Sequence, residues 1–124
     1  VPIIEPEVDI HCENKSEAEQ MLFENLMNQI EHLTAEQKIL LKLTIPNKSN
    51  LYAPFINHPN VLRVFALSGG YSREEANKLL ALNNGMLASF SRALTEGLTA
   101  QQSDGEFNSV LDASIESIYQ SSLS

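Results

Sequence analysis

Short apolar runs alternate with helix-capping boxes along this chain, and that alternation restricts its fold more than any other feature. The runs occupy residues 1–8, 37–46, 61–67 and 86–90. Between and after them, Ser16 with Glu19, Ser72 with Glu75, and Ser103 with Glu106 repeat the Ser-x-x-Glu pattern that opens a helix. The first helix is expected over 16–33, with Ala18, Leu22, Leu26, Ile30 and Leu33 as its apolar stripe, widened by Met21, Phe23 and Met27. Residues 51–57 can form at most a short helix, interrupted near Pro54 and closed by Pro59. After the second box Ala76, Leu79 and Leu80 point inward, and Asn83-Asn84-Gly85 ends that helix. Ser91 to Leu94 starts a further helical segment. Phe107, Val110, Leu111, Ile115, Ile118 and Tyr119 stripe the last helix, and the polar tail 120–124 is expected to fray.

Strand and helix thus alternate four times, which implies a parallel sheet with helices packed on it. Two architectures satisfy the pattern. One is a small doubly wound domain; the other is half of an eight-fold strand–helix barrel, since a full barrel needs roughly 250 residues and this chain has 124. Both place functional groups at the C-terminal ends of the strands. Those ends carry Glu5 and Glu7, Lys42 and Thr44, Ser68-Gly69-Gly70, and Ser91-Arg92.

Lys42 stands out among them, because it interrupts Ile39-Leu40-Leu41-Lys42-Leu43-Thr44-Ile45, a run that reads as a strand buried on both faces. Leu40, Lys42 and Thr44 share one face, and Ile39, Leu41 and Leu43 the other. Burial disfavours an ammonium group and frees the amine as a nucleophile, the property of a Schiff-base lysine. A lysine near a strand end also reaches water with its head group, and both readings stand at this point. Glu5 and Glu7 fall on the face of Ile3, with Pro6 ending or bulging the strand beside them. Glu5, in an apolar context, suits acid–base work; Glu7 is equally well a solvated charge. Ser68-Gly69-Gly70 is either a tight turn or, with Arg92, a cradle of amides and a guanidinium for a phosphate dianion.

Composition removes several classes of function. A net charge of −8 argues against nucleic acid or an anionic membrane as partner, and no apolar run reaches membrane-spanning length. The single cysteine, Cys12, fits a reducing, cytoplasmic setting. His11, Cys12 and Glu13 are adjacent on a loop and form no metal-ligand motif. The 43% hydrophobic content suffices for one soluble domain. An opening on a core-like strand at Val1, with no initiator methionine, suggests a piece of something longer.

Four motifs, in order, carry a resemblance: Val-Pro-Ile-Ile-Glu-Pro-Glu, Leu-Leu-Lys, Leu-Ser-Gly-Gly-Tyr-Ser-Arg-Glu-Glu-Ala and Ser-Phe-Ser-Arg-Ala-Leu. Together they resemble class I fructose-bisphosphate aldolase of the bacterial type, across essentially the whole chain but only over that family's C-terminal half. The resemblance implies an α/β fold of four consecutive β/α units, strands five to eight of a (β/α)8 TIM barrel, with residues 1–124 as half of the domain. It assigns Lys42 as the Schiff-base lysine, Glu5 as the acid–base carboxylate and Glu7 as a supporting one. It places the substrate's C1 phosphate at Ser68, Gly69 and Arg92. It implies a phosphorylated sugar as substrate and neither cofactor nor metal. The chain departs from many members in having Leu43-Thr44 for proline and asparagine, and Ser91 for a glycine. It also lacks the C-terminal tyrosine of the animal enzymes. The family's first four strands, with further catalytic residues, have no counterpart here. An N-terminal half-barrel or a second copy of this chain is therefore expected to cover the open sheet edges.

Overall fold

A computed structural model describes residues 1–124 as one four-stranded parallel sheet in the order β1-β2-β3-β4. The elements are β1 (Ile3–Ile4), α1 (Lys15–Ile30), β2 (Ile39–Thr44), α2 (Ala53–Ile56), β3 (Val61–Leu67), α3 (Arg73–Ala81), β4 (Leu87–Ala88), α4 (Ser91–Thr95) and α5 (Asp104–Ser121). Strands adjacent in sequence are adjacent in space. That order excludes the doubly wound alternative, in which strand order reverses at a switch point, and it is the arrangement of half a (β/α)8 barrel.

The register determines which face each strand residue takes. Ile3 pairs with Leu40, Lys42 with Phe65, and Phe65 with Leu87, so these side chains share one face. Ile4, Leu41, Leu43, Val64, Ala66 and Ala88 take the other. Helices cover only this second face. Leu41, Leu43, Val64 and Ala66 are buried there under Ile30 of α1, Phe55 of α2, and Ala76 and Leu80 of α3. Phe23 and Phe55 meet at 5.0 Å between ring centroids, locking α1 to α2. Each large apolar side chain buried in this way contributes about 1.5–3 kcal/mol of transfer free energy. The first face lacks helices, and Leu40, Lys42, Phe65 and Leu87 on it are only half-buried. The strand of Lys42 is therefore not buried on both sides, contrary to the reading of its apolar run.

Two capping boxes form as expected. Ser72 and Ser103 each accept the N–H of the glutamate three residues on, and each glutamate reaches back to the cap amide. These hydrogen bonds hold the carboxyls of Glu75 and Glu106 below the usual carboxylate range.

The first box does not form. Helix α1 begins one residue earlier, at Lys15 after Asn14, and ends at Ile30 rather than near Leu33. Glu19 is drawn inward instead: it is fully buried, ion-paired with the buried Lys15, and accepts the Asn47 N–H at 2.9 Å. The Lys15 ammonium also donates to the Ile45 carbonyl at 2.9 Å and to Asn47 Oδ1 at 3.0 Å. Asn47 Nδ2 donates to the Ser16 hydroxyl oxygen at 3.1 Å. The buried pair outcompetes the exposed cap because both of its charges find hydrogen-bond partners in Ile45 and Asn47, just after β2. Nearby, burial pushes the Tyr52 hydroxyl pKa up, and the Glu19 charge adds to the shift.

Four smaller expectations are revised. Met21 is exposed, so the stripe of α1 is narrower than its hydrophobicity suggested. Strand β1 spans two residues and ends before Pro6, where a strand running up to that proline was expected, and β4 spans two rather than five. The polar tail is helical to Ser121, and the Ser124 carbonyl accepts the Gly85 N–H at 3.1 Å.

Candidate active site

Pro6 determines how the carboxylates reach the lysine. The Leu40 N–H donates to the Pro2 carbonyl, so even-numbered residues of the first segment face β2 through their backbone. After Pro2 and Ile4 the next donor position falls on Pro6, which has no N–H, and the ladder stops. The odd-numbered Glu5 and Glu7 consequently project on the open face, the one that carries Lys42.

Glu5 Oε2 accepts a hydrogen bond from Lys42 Nζ at 3.0 Å. The lysine side chain is 29% exposed and the glutamate 49%, so this is a partly solvated pair. The expectation of an apolar pocket around Glu5 is corrected here: β1 is an edge strand, and nothing packs over its open side. Lys42 extends toward the strand ends, as a lysine reaching for water does, but its head group meets a carboxylate there.

Beside the pair lies a cavity of about 180 Å³, lined by Glu7, Lys42, Leu67, Ser68, Gly69, Ser89, Ser91 and Arg92. Five of the seven residues singled out from the sequence line it, and Glu5 joins through Lys42. Gly70 does not. Of the other lining residues, Ser91 was read from the sequence at a strand end beside Arg92 without a role, and Ser89 was not singled out. Alternation along β4 was the available signal for Ser89, since Leu87 shares the Lys42 face and Ser89 follows two residues on.

The glycine turn is conformationally demanding. Gly69 and Gly70 have φ of +62° and +106°, and the Ser68 carbonyl accepts the Tyr71 N–H at 3.0 Å across them. A Cβ on Gly69 would stand 3.1 Å from Ile10 Cγ2 and 3.3 Å from Leu67 Cδ1. Left-handed backbone and crowding both favour glycine there. The amides of Gly69 and Gly70 have no acceptor within the protein. The Gly69 amide is thus free of any protein acceptor, and Gly69 and Arg92 line the same cavity, a combination that suits an anion.

The arrangement offers an amine nucleophile, an adjacent carboxylate that can trade protons with it, and cationic and amide donors on the far wall. Such a set suits carbinolamine chemistry on a carbonyl compound with an anionic tail.

No protein-family model matches the chain. Curated proteins do. The chain is 60% identical over 123 residues to a fructose-bisphosphate aldolase class 1 of Synechocystis sp., covering 99% of itself and 41% of that protein. It is 57% identical to the protein of the same name from Porphyromonas gingivalis, with 41% of that chain covered. The corresponding protein of Clostridium acetobutylicum is 50% identical, with 42% covered. Along 99% of its length this chain is similar to the class 1 fructose-bisphosphate aldolases, and it spans about two fifths of theirs.

Proposed function

We propose that this chain is the C-terminal half of the barrel of a class I fructose-bisphosphate aldolase, residues 1–124 forming one part of that domain, and that it carries the Schiff-base half of the active site. The observation that supports this most directly is the Glu5–Lys42 pair at 3.0 Å beside a cavity lined by Glu7, Ser68, Gly69 and Arg92. The Lys42 amine adds to the C2 ketone of fructose 1,6-bisphosphate, and Glu5 supplies the proton with which the carbinolamine oxygen leaves as water. The resulting iminium accepts the C3–C4 bonding electrons once the C4 hydroxyl loses its proton, and glyceraldehyde 3-phosphate departs. Protonation of the enamine at C3 and attack of water then release dihydroxyacetone phosphate and the free lysine. Glu7 supports the charge on the lysine. Ser68, Gly69 and Arg92 hold the C1 phosphate, with Gly70 shaping the turn. The setting is the cytoplasm, where this chemistry belongs in glycolysis; no helix is long and apolar enough to cross a membrane.

Reduction with borohydride in the presence of dihydroxyacetone phosphate tests the assignment. The expected result is a stable secondary amine on Lys42, found by mass spectrometry and absent from Lys42→Ala. An adduct that persists in that variant, or no adduct on the parent chain, overturns it.

A second reading, a non-catalytic half-barrel that pairs with itself, is favoured by the sheet edges. Ile3 and Ile4 are exposed along β1. Past β4, Ala88, Phe90, Leu94, Ile115, Ile118, Tyr119 and Ser122 line an apolar groove of about 300 Å³. Two copies related by a two-fold axis would set each β4 against the partner's β1 and close eight strands. Sedimentation is expected to give twice the monomer mass of 13.8 kDa at micromolar concentration. A monomeric boundary with no binding of a hydrophobic dye would sink this reading.

A further inference from the structure

We propose that Thr44 is the positioning residue that keeps Glu5 on Lys42, by replacing with its hydroxyl the ladder that Pro6 interrupts. The inference rests on the Schiff-base reading for its catalytic consequence but not for its geometry. Residues 2, 4, 6 and 8 are the positions whose backbone faces β2. Pro2 and Ile4 are held by the ladder, and Pro6 has nothing to donate. Val8, the next in the series, donates its N–H to Thr44 Oγ1 at 3.0 Å rather than to a strand carbonyl.

That bond spans 36 positions of sequence and, beside the Glu5–Lys42 pair it would support, ties the end of the first segment to the end of β2. Glu5 and Glu7 lie between the last ladder bond and this clip, so it is a downstream anchor of both carboxylates. Thr44 itself is 1% exposed. Its methyl lies 3.4 Å from the Cβ position of Gly69, where Ile10, two residues beyond Val8, also packs. One side chain thus registers the carboxylate segment against the lysine strand and against the glycine turn. Without the clip the backbone of the segment is free from Ile4 to the Ile10 contact with the glycine turn, and the Glu5 carboxylate samples positions out of reach of Lys42 Nζ.

The test compares Thr44→Val, which keeps the shape and removes the acceptor, with Thr44→Ser, which keeps the acceptor and removes the methyl. Val8→Pro removes the donor independently. The Lys42–Glu5 contact itself is followed by NMR, as the nuclear Overhauser effect between the Lys42 Hε and Glu5 Hγ protons. Thr44→Val is expected to slow borohydride trapping of dihydroxyacetone phosphate about fivefold, the worth of one neutral hydrogen bond, and to weaken that Overhauser effect. Thr44→Ser is expected to restore both, Val8→Pro to match Thr44→Val, and the Val8→Pro/Thr44→Val double variant to be no worse than either single one. Unchanged trapping and an unchanged Overhauser effect in Thr44→Val would overturn the proposal. So would a serine variant as impaired as the valine one, which would assign the role to methyl packing. If the parent chain gives no Lys42 adduct, the Schiff-base reading fails, and the Overhauser effect alone decides: an effect weakened in Thr44→Val and regained in Thr44→Ser upholds the clip, and one unchanged in Thr44→Val ends it.

Discussion

Glu19→Ala is expected to destabilise the fold by about 3–5 kcal/mol, because it leaves the Lys15 ammonium buried without a counter-charge. Domains of this size are stable by about 5–15 kcal/mol in total, so the variant is expected to be largely unfolded at urea concentrations the parent tolerates. The carboxylate also accepts the Asn47 N–H, so that amide loses its partner in the same step. Replacing both partners with apolar residues, Lys15→Met with Glu19→Leu, is expected to recover most of the loss, since it removes the orphaned charge along with the pair. Urea denaturation followed by circular dichroism gives both numbers. A loss below about 1 kcal/mol in Glu19→Ala would mean that water reaches the Lys15 head group. The pair matters beyond stability. Lys15 holds the Ile45 carbonyl, three residues past Lys42, and so fixes the end of the strand from which the amine is presented.

The largest expected effect on activity comes from length. Fructose 1,6-bisphosphate carries two phosphates, and the cradle proposed above, the Gly69 amide and Arg92 guanidinium beside Lys42, would hold one of them. The face bearing Lys42 has no helices over it and no strands beyond β1 and β4. Substrate held at one end, on a half-open surface, forgoes much of the rate that orientation and exclusion of water provide. The isolated 124-residue chain is expected to cleave fructose 1,6-bisphosphate at least about 100-fold more slowly than the same chain with the remaining three fifths of an aldolase-length polypeptide supplied. Steady-state turnover of purified chain, alone and after co-expression with that complement, measures the ratio. Equal turnover in the two preparations would show that four strands suffice.

Local and alternating patterns were legible without a structure. The four strands, the boxes at Ser72 and Ser103, and the alternation that groups Glu5 with Glu7 and Lys42 with Leu40 and Thr44 all follow from interactions within a few residues or from the two-residue period of a strand; the register that makes these one face came from the structure. Where the pattern misled, a distant group had competed for the same atoms. Ser16-x-x-Glu19 has the sequence of a cap, but Asn47 and Lys15 offered Glu19 buried partners that an exposed amide could not match. Glu5 reads as apolar-flanked, yet β1 is an edge strand, and flanking residues say nothing about what lies across a sheet.

The chain's own order of residues thus determined which side chains reach one edge of the sheet, because strand parity and helix caps are local. Tertiary structure alone decided that Ser68, Gly69 and Arg92 meet Glu7 and Lys42 at one cavity that Gly70 does not line. It decided, too, that Thr44 stands in for the bond Pro6 cannot make. Each of these depends on contacts between positions tens of residues apart, and such contacts have no period to read.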